Sequence, residues 1–83
     1  MKAELDKDAW KEIKRLDRKT RERILKALNR YAEEGYGDIR KIEGSDEFAL
    51  RVGEWRIFFK MPKQEAEAIQ FSAVRPRGTA YKK

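Results

Sequence analysis

The chemically informative side chains of this 83-residue chain are arginines, with a tyrosine near the end, and it contains neither cysteine nor histidine. A thiolate or imidazole metal site is thereby excluded, as is a Cys or His nucleophile or base. The arginines point to the chemistry of anions. In the stretch "FALRVGEWRIFFK" (Phe48 to Lys60), Gly53-Glu54 is a Gly-X pair suited to a two-residue hairpin turn. Such a turn sets Val52 against Trp55, Leu50 against Ile57 and Phe48 against Phe59 on one apolar face. It also sets Arg51 directly opposite Arg56 on the other face, and like charges in a direct cross-strand pair are destabilising. A bound phosphate would remove that penalty. A solvated face on which the two side chains splay apart is the alternative.

The same outer face carries Glu47 and Ala49 on one strand and Phe58 and Lys60 on the next. Ala49 opposite Phe58 leaves space beside an aromatic ring, and Glu47 opposite Lys60 makes an ordinary ion pair. The closing "RPRGTAY" brings Arg75 and Arg77 just beyond a third strand, with Tyr81 following. Arg51, Arg56 and Arg77, converging with Phe58 and Tyr81, would form an anion cradle. Forked guanidinium donors match phosphate oxygens bidentately, and exposed rings stack unpaired bases. Phe58 could equally be covered by a terminal segment, and the final "YKK" could equally fray.

Several elements must position these groups. Met1 to Leu5 reads as a short strand ended by Asp6 as a helix N-cap. Trp10, Ile13 and Leu16 mark one face of a first helix, with Trp10 and Trp55 assigned to the core. Asp17 caps a second helix that runs to Glu34 with the stripe Ile24, Ala27, Leu28 and Tyr31, and Gly35 stops it. The two should form an antiparallel helical hairpin. After "YGDIRKIEGSDE" the apolar period changes from 3.6 to 2, which predicts strands near Phe48–Val52, Trp55–Met61 and Ala66–Val74. In the third of these, Ile69, Phe71 and Ala73 alternate against Ala68, Gln70 and Ser72. The expected architecture is α+β: a short N-terminal strand and a helical hairpin packed on an antiparallel β-sheet meander, within a single domain spanning 1–83.

Charge points the same way as the arginines. Lysine and arginine outnumber aspartate and glutamate by 21 to 15, for a net charge of +6. From Ala68 to Lys83 there is no acid, while Arg75, Arg77, Lys82 and Lys83 are basic, which suits a phosphate-bearing partner as well as a well-solvated surface. No apolar run approaches the ~20 residues of a membrane helix, and no signal-peptide core follows Met1, so an intracellular protein without membrane partners is expected.

The blocks "AWKEIKRLDRKTRERILKAL", "IRKIEGSDEFALRVGEWRIFF" and "AVRPRGTAYKK", in that order, resemble the RelE/ParE superfamily of type II toxins. The ending "PRGTAY" is similar to that of archaeal-type RelE proteins, and the resemblance covers about Leu5 to Lys83. It implies the RelE-like fold and a ribosome-dependent mRNA endonuclease that cuts by attack of the ribose 2′-OH on the adjacent phosphate. By position, the catalytic residues it implies are Arg51, Arg56, Arg77 and Tyr81. Arg51 and Arg56 would hold the scissile phosphate, Arg77 would bind the phosphate or the leaving side, and Tyr81 would orient the nucleotide and move a proton. Phe58, Lys60, Arg75 and Lys82 are the expected RNA-binding residues. Ala49 and Arg51 stand where some members carry lysines, and Pro76 stands where others carry histidine.

The resemblance also implies partners: a cognate antitoxin, the ribosome and mRNA, with DNA bound only through the antitoxin. It implies no metal and no organic cofactor, and a cytoplasmic location. The alternatives are a ParE-type inhibitor of DNA gyrase, and a degenerate toxin that only binds its antitoxin.

Overall fold

The longest element owes its ends to two residues. Helix α2 (Arg18–Glu34) begins at Asp17, whose carboxylate accepts from the Thr20 backbone N–H at 3.1 Å and from the Thr20 hydroxyl at 2.6 Å. It ends at Gly35, whose φ of 79° lies in the left-handed region that only glycine enters without strain. The Thr20 side-chain bond, followed by the Thr20 backbone bond, lowers the Asp17 pKa below its ordinary 3.8. A carboxylate whose folded pKa is depressed contributes stability that is complete above the unfolded value and disappears as pH falls through the folded one. Asp17→Asn keeps the cap but has no proton to gain. Its melting temperature should therefore fall less than the parent's between pH 4 and pH 2.5. Parallel pH profiles for the two proteins would show that the cap carries no linkage.

The computed structural model describes residues 1–77. Before α2 come strand β1 (Lys2–Leu5) and helix α1 (Lys7–Lys14), and after it strands β2 (Asp38–Lys41), β3 (Glu47–Val52), β4 (Trp55–Lys60) and β5 (Ala68–Pro76). The strands form one five-stranded sheet in the order β1-β5-β4-β3-β2. From β2 to β5 every pairing is antiparallel, which is the expected meander. β1 joins its far edge parallel to β5, with Leu5 beside Phe71. β2 was not anticipated. Both helices pack on one face, α1 against β5 and α2 against β1 and β3. Among the described residues no helix is long and apolar enough to cross a membrane.

The core lies between this face and the helices. Ile13, Ile24, Leu28, Leu50, Ile57, Phe59, Phe71 and Val74 are buried there. Phe59 sits at its centre, with ring centroids of Tyr31 and Phe71 at 5.3 Å and Phe48 at 5.9 Å. Trp10, expected inside, is 43% exposed. The buried positions of α1 are Ala9 and Ile13, four apart, with Leu16 half-buried beyond them, so the apolar stripe runs beside Trp10 and not through it. Trp55 is half-buried against the core, as expected.

The β3–β4 hairpin has the anticipated register: Val52 pairs with Trp55, Leu50 with Ile57, Phe48 with Phe59 and Arg51 with Arg56. Gly53 has φ 59°, while Glu54 does not have a positive φ, the pattern of a type II′ turn. A Cβ on Gly53 would also lie 2.8 Å from the Arg23 guanidinium. Gly53→Ala should thus cost more than about 1 kcal/mol through the φ penalty alone. Chemical denaturation checks this, and an unchanged midpoint would contradict it.

Candidate nucleic-acid interface

The sheet face turned away from the helices carries the arginines. Direct cross-strand partners share a face, so the register sets Asp38, Arg51, Arg56 and Arg75 side by side across β2, β3, β4 and β5. At about 4.8 Å per strand, Arg51 to Arg75 spans roughly 10 Å. Arg75 reaches this row because of a bulge. The β4–β5 register shifts between Phe58 and Phe59, so Phe59 pairs with Phe71 while Phe58 pairs with Ala73. Strict alternation would have turned Ala73 and Arg75 toward the helices with Ile69 and Phe71. The extra residue instead turns Val74 inward, fully buried, and delivers Ala73 and Arg75 to the outer face. The alternation that grouped Ala73 with Ile69 and Phe71 is corrected accordingly.

The three guanidiniums differ in environment. Arg56 is 3% exposed; its Nη1 donates to the Gly53 carbonyl at 3.0 Å and to the Trp55 carbonyl at 2.9 Å. Its Nε is buried without a hydrogen-bond partner. A charged group kept from water with an unsatisfied donor is costly. Arg51 is partly exposed and lies 3.6 Å from Asp38, whose carboxylate also pairs with Arg40 at 3.4 Å. Arg75 is exposed and donates to the Val74 carbonyl at 2.9 Å. One carboxylate thus faces a row of three cations, and Asp38 had no part in the expected site. It lies in β2, whose four residues Asp-Ile-Arg-Lys are too short and too polar to register as a strand by period alone.

The remaining expected residues fall in different places. Arg77 is exposed beyond β5, and its backbone N–H donates to the Glu54 carbonyl at 2.7 Å, tying it to the hairpin turn one step from the row. Lys60 shares the outer face but lies four residues from Arg56, about 13 Å along the strand. Although in register with Glu47, it makes its ion pair with Asp46 at 3.7 Å. Phe58 is 8% exposed and lies with Ala49, Ile42 and Ala73 in a small apolar cluster. In this arrangement it supports the outer face and offers no open stacking surface. Ile42 fills the space expected beside Phe58; a small residue opposite a large ring was the signal for such a filler. Tyr81 and Lys82 lie outside the described residues. Among the described residues, no group of three or more Asp and Glu side chains could hold a metal ion.

Comparison with protein-family models and with curated proteins finds no match for this chain. Solved structures do match. One chain of the RelB–RelE antitoxin–toxin complex from Methanococcus jannaschii superposes with a TM-score of 0.71 at 24% identity, over 94% of each chain. One from the archaeal RelE–RelB complex of Pyrococcus horikoshii OT3 gives 0.68 at 22% identity, over 95% of this chain and 97% of that one. With two helices on a five-stranded mixed sheet that pairs β1 parallel to β5, this chain has the RelE-like fold.

Proposed function

We propose that this protein is the toxin of a type II toxin–antitoxin pair and a ribosome-dependent mRNA endonuclease. The observation that carries the reading is the row Arg51–Arg56–Arg75, three guanidiniums in direct register on the sheet face that the helices leave uncovered. The likeness to chains from RelE–RelB complexes supports the same reading. In the reaction the 2′-oxygen bonds to phosphorus as the bond from phosphorus to the 5′-oxygen breaks. One proton leaves the 2′-hydroxyl and one reaches the departing oxygen. Charge accumulates on the non-bridging oxygens, where guanidiniums stabilise it. Arginine, with a pKa above ~12, does not move protons, so that role falls to Tyr81 or to groups of the ribosome. The partners are the ribosome, mRNA and an antitoxin whose acidic segment suits a basic chain, and the site of action is the cytoplasm.

A second reading is favoured by one observation. Arg56 at 3% exposure reaches a phosphate only if its surroundings move, which suits a protein that binds its antitoxin without cutting RNA. Induction of the chain in cells, with mapping of mRNA 5′ ends, separates the readings. Cleavage within translated messages, lost in Arg56→Ala and Tyr81→Phe, supports the nuclease. Growth arrest with filamentation and DNA damage would assign it to gyrase inhibition instead, and harmless expression to binding alone.

A further inference from the structure

On the helix side of the sheet edge lies a second basic surface that the arginine row does not explain. A cleft of about 490 Å³ opens between α2, the Tyr36–Asp38 segment and the end of β3. Arg23, Lys26 and Arg30 line it from one helix, at spacings of three and four that place them on a single face, and Arg51 closes its far side. All three helix cations are exposed, and among the described residues none of them is in a salt bridge. Arg23 is seated over the backbone of Gly53, where the missing side chain makes room for it. Tyr36 is 63% exposed, and the Arg30 guanidinium lies 5.3 Å from its ring centroid.

We propose that this cleft is a second subsite for single-stranded RNA, with Arg23 and Lys26 holding a phosphate and Tyr36, flanked by Arg30, stacking a base. The inference rests on the RNA-binding reading above and extends it, because Arg51 belongs to both the row and the cleft and so joins them into one track. A cationic wall beside a half-solvated ring is the chemistry of sequence-tolerant single-strand binding. An acidic peptide would use the cations but leave the exposed Tyr36 ring without a role.

The test is fluorescence anisotropy with a labelled 2′-O-methyl oligouridylate octamer, which cannot be cleaved, titrated across a salt series. Lys26 and Arg30 are exposed, so K26Q/R30Q should melt like the parent. It should bind at least tenfold more weakly at low salt, with the slope of log affinity against log salt shallower by about 0.7, the value for the one phosphate contact that Lys26 makes. Tyr36→Ala should weaken binding about 5- to 100-fold without changing the slope. Arg75→Gln serves as the reference for the row. If it weakens binding while the cleft variants match the parent, the second subsite is refuted and the nuclease reading stands. Loss of affinity for a decaglutamate peptide but not for the octamer would make the cleft a protein-docking groove, and absence of octamer binding by the parent would also overturn the proposal. In-cell mapping with Arg56→Ala tests the nuclease reading independently of all these outcomes.

Discussion

Arg56→Ala should lower mRNA cleavage by about 100- to 1000-fold, the loss typical of removing one donor to a developing oxyanion. Its effect on stability should be much smaller. The substitution removes two hydrogen bonds to the Gly53 and Trp55 carbonyls, but it also removes a buried Nε without a partner and the middle charge of a three-cation row. Those terms oppose one another, at ~1–3 kcal/mol for each buried polar group left unmatched. Arg56→Lys should recover only a small part of the activity, because an ammonium supplies the charge without the planar fork. The measurements are cleavage on translating ribosomes and a thermal melt for each variant. Should Arg56→Ala fail to fold, Arg75→Ala provides the same test from an exposed position. Parental cleavage by a folded Arg56→Ala protein would refute the catalytic role of the row.

Phe59→Ala is expected to have the largest effect on stability, about 3–5 kcal/mol. Phe59 is fully buried and touches three other rings, from α2, β3 and β5, so its removal leaves a cavity bounded by elements that cannot all collapse inward. Against a total of about 5–15 kcal/mol for a domain, that loss is enough to leave much of the protein unfolded at physiological temperature. In urea the midpoint should drop by more than about 1 M. Phe58→Ala, one residue away in the small outer cluster, should cost less, since its neighbours there are Ile42 and two alanines. Equal losses from the two variants would mean that the helix-side layer is not the dominant core.

The sequence by itself determined what depends on near neighbours. Asp17 and Gly35 mark the ends of α2 because capping involves groups only a few residues apart. Gly53-Glu54 sets the β3–β4 register, and with it the opposition of Arg51 and Arg56, because a two-residue turn leaves the flanking strands no freedom to slip. The tertiary structure decided the rest. Alternation within β5 puts Ala73 and Arg75 on the helix side; only pairing with β4 introduces the bulge that reverses them and completes the row. The counter-ion Asp38 belongs to a short polar edge strand that exists because β3 offers it a partner. The stripe of α1 passes through Ala9 and beside Trp10 because of where β5 meets the helix, a contact between residues far apart in the chain. Bulges, edge strands and helix facing each depend on a distant partner, and local periodicity contains no information about which partner that will be.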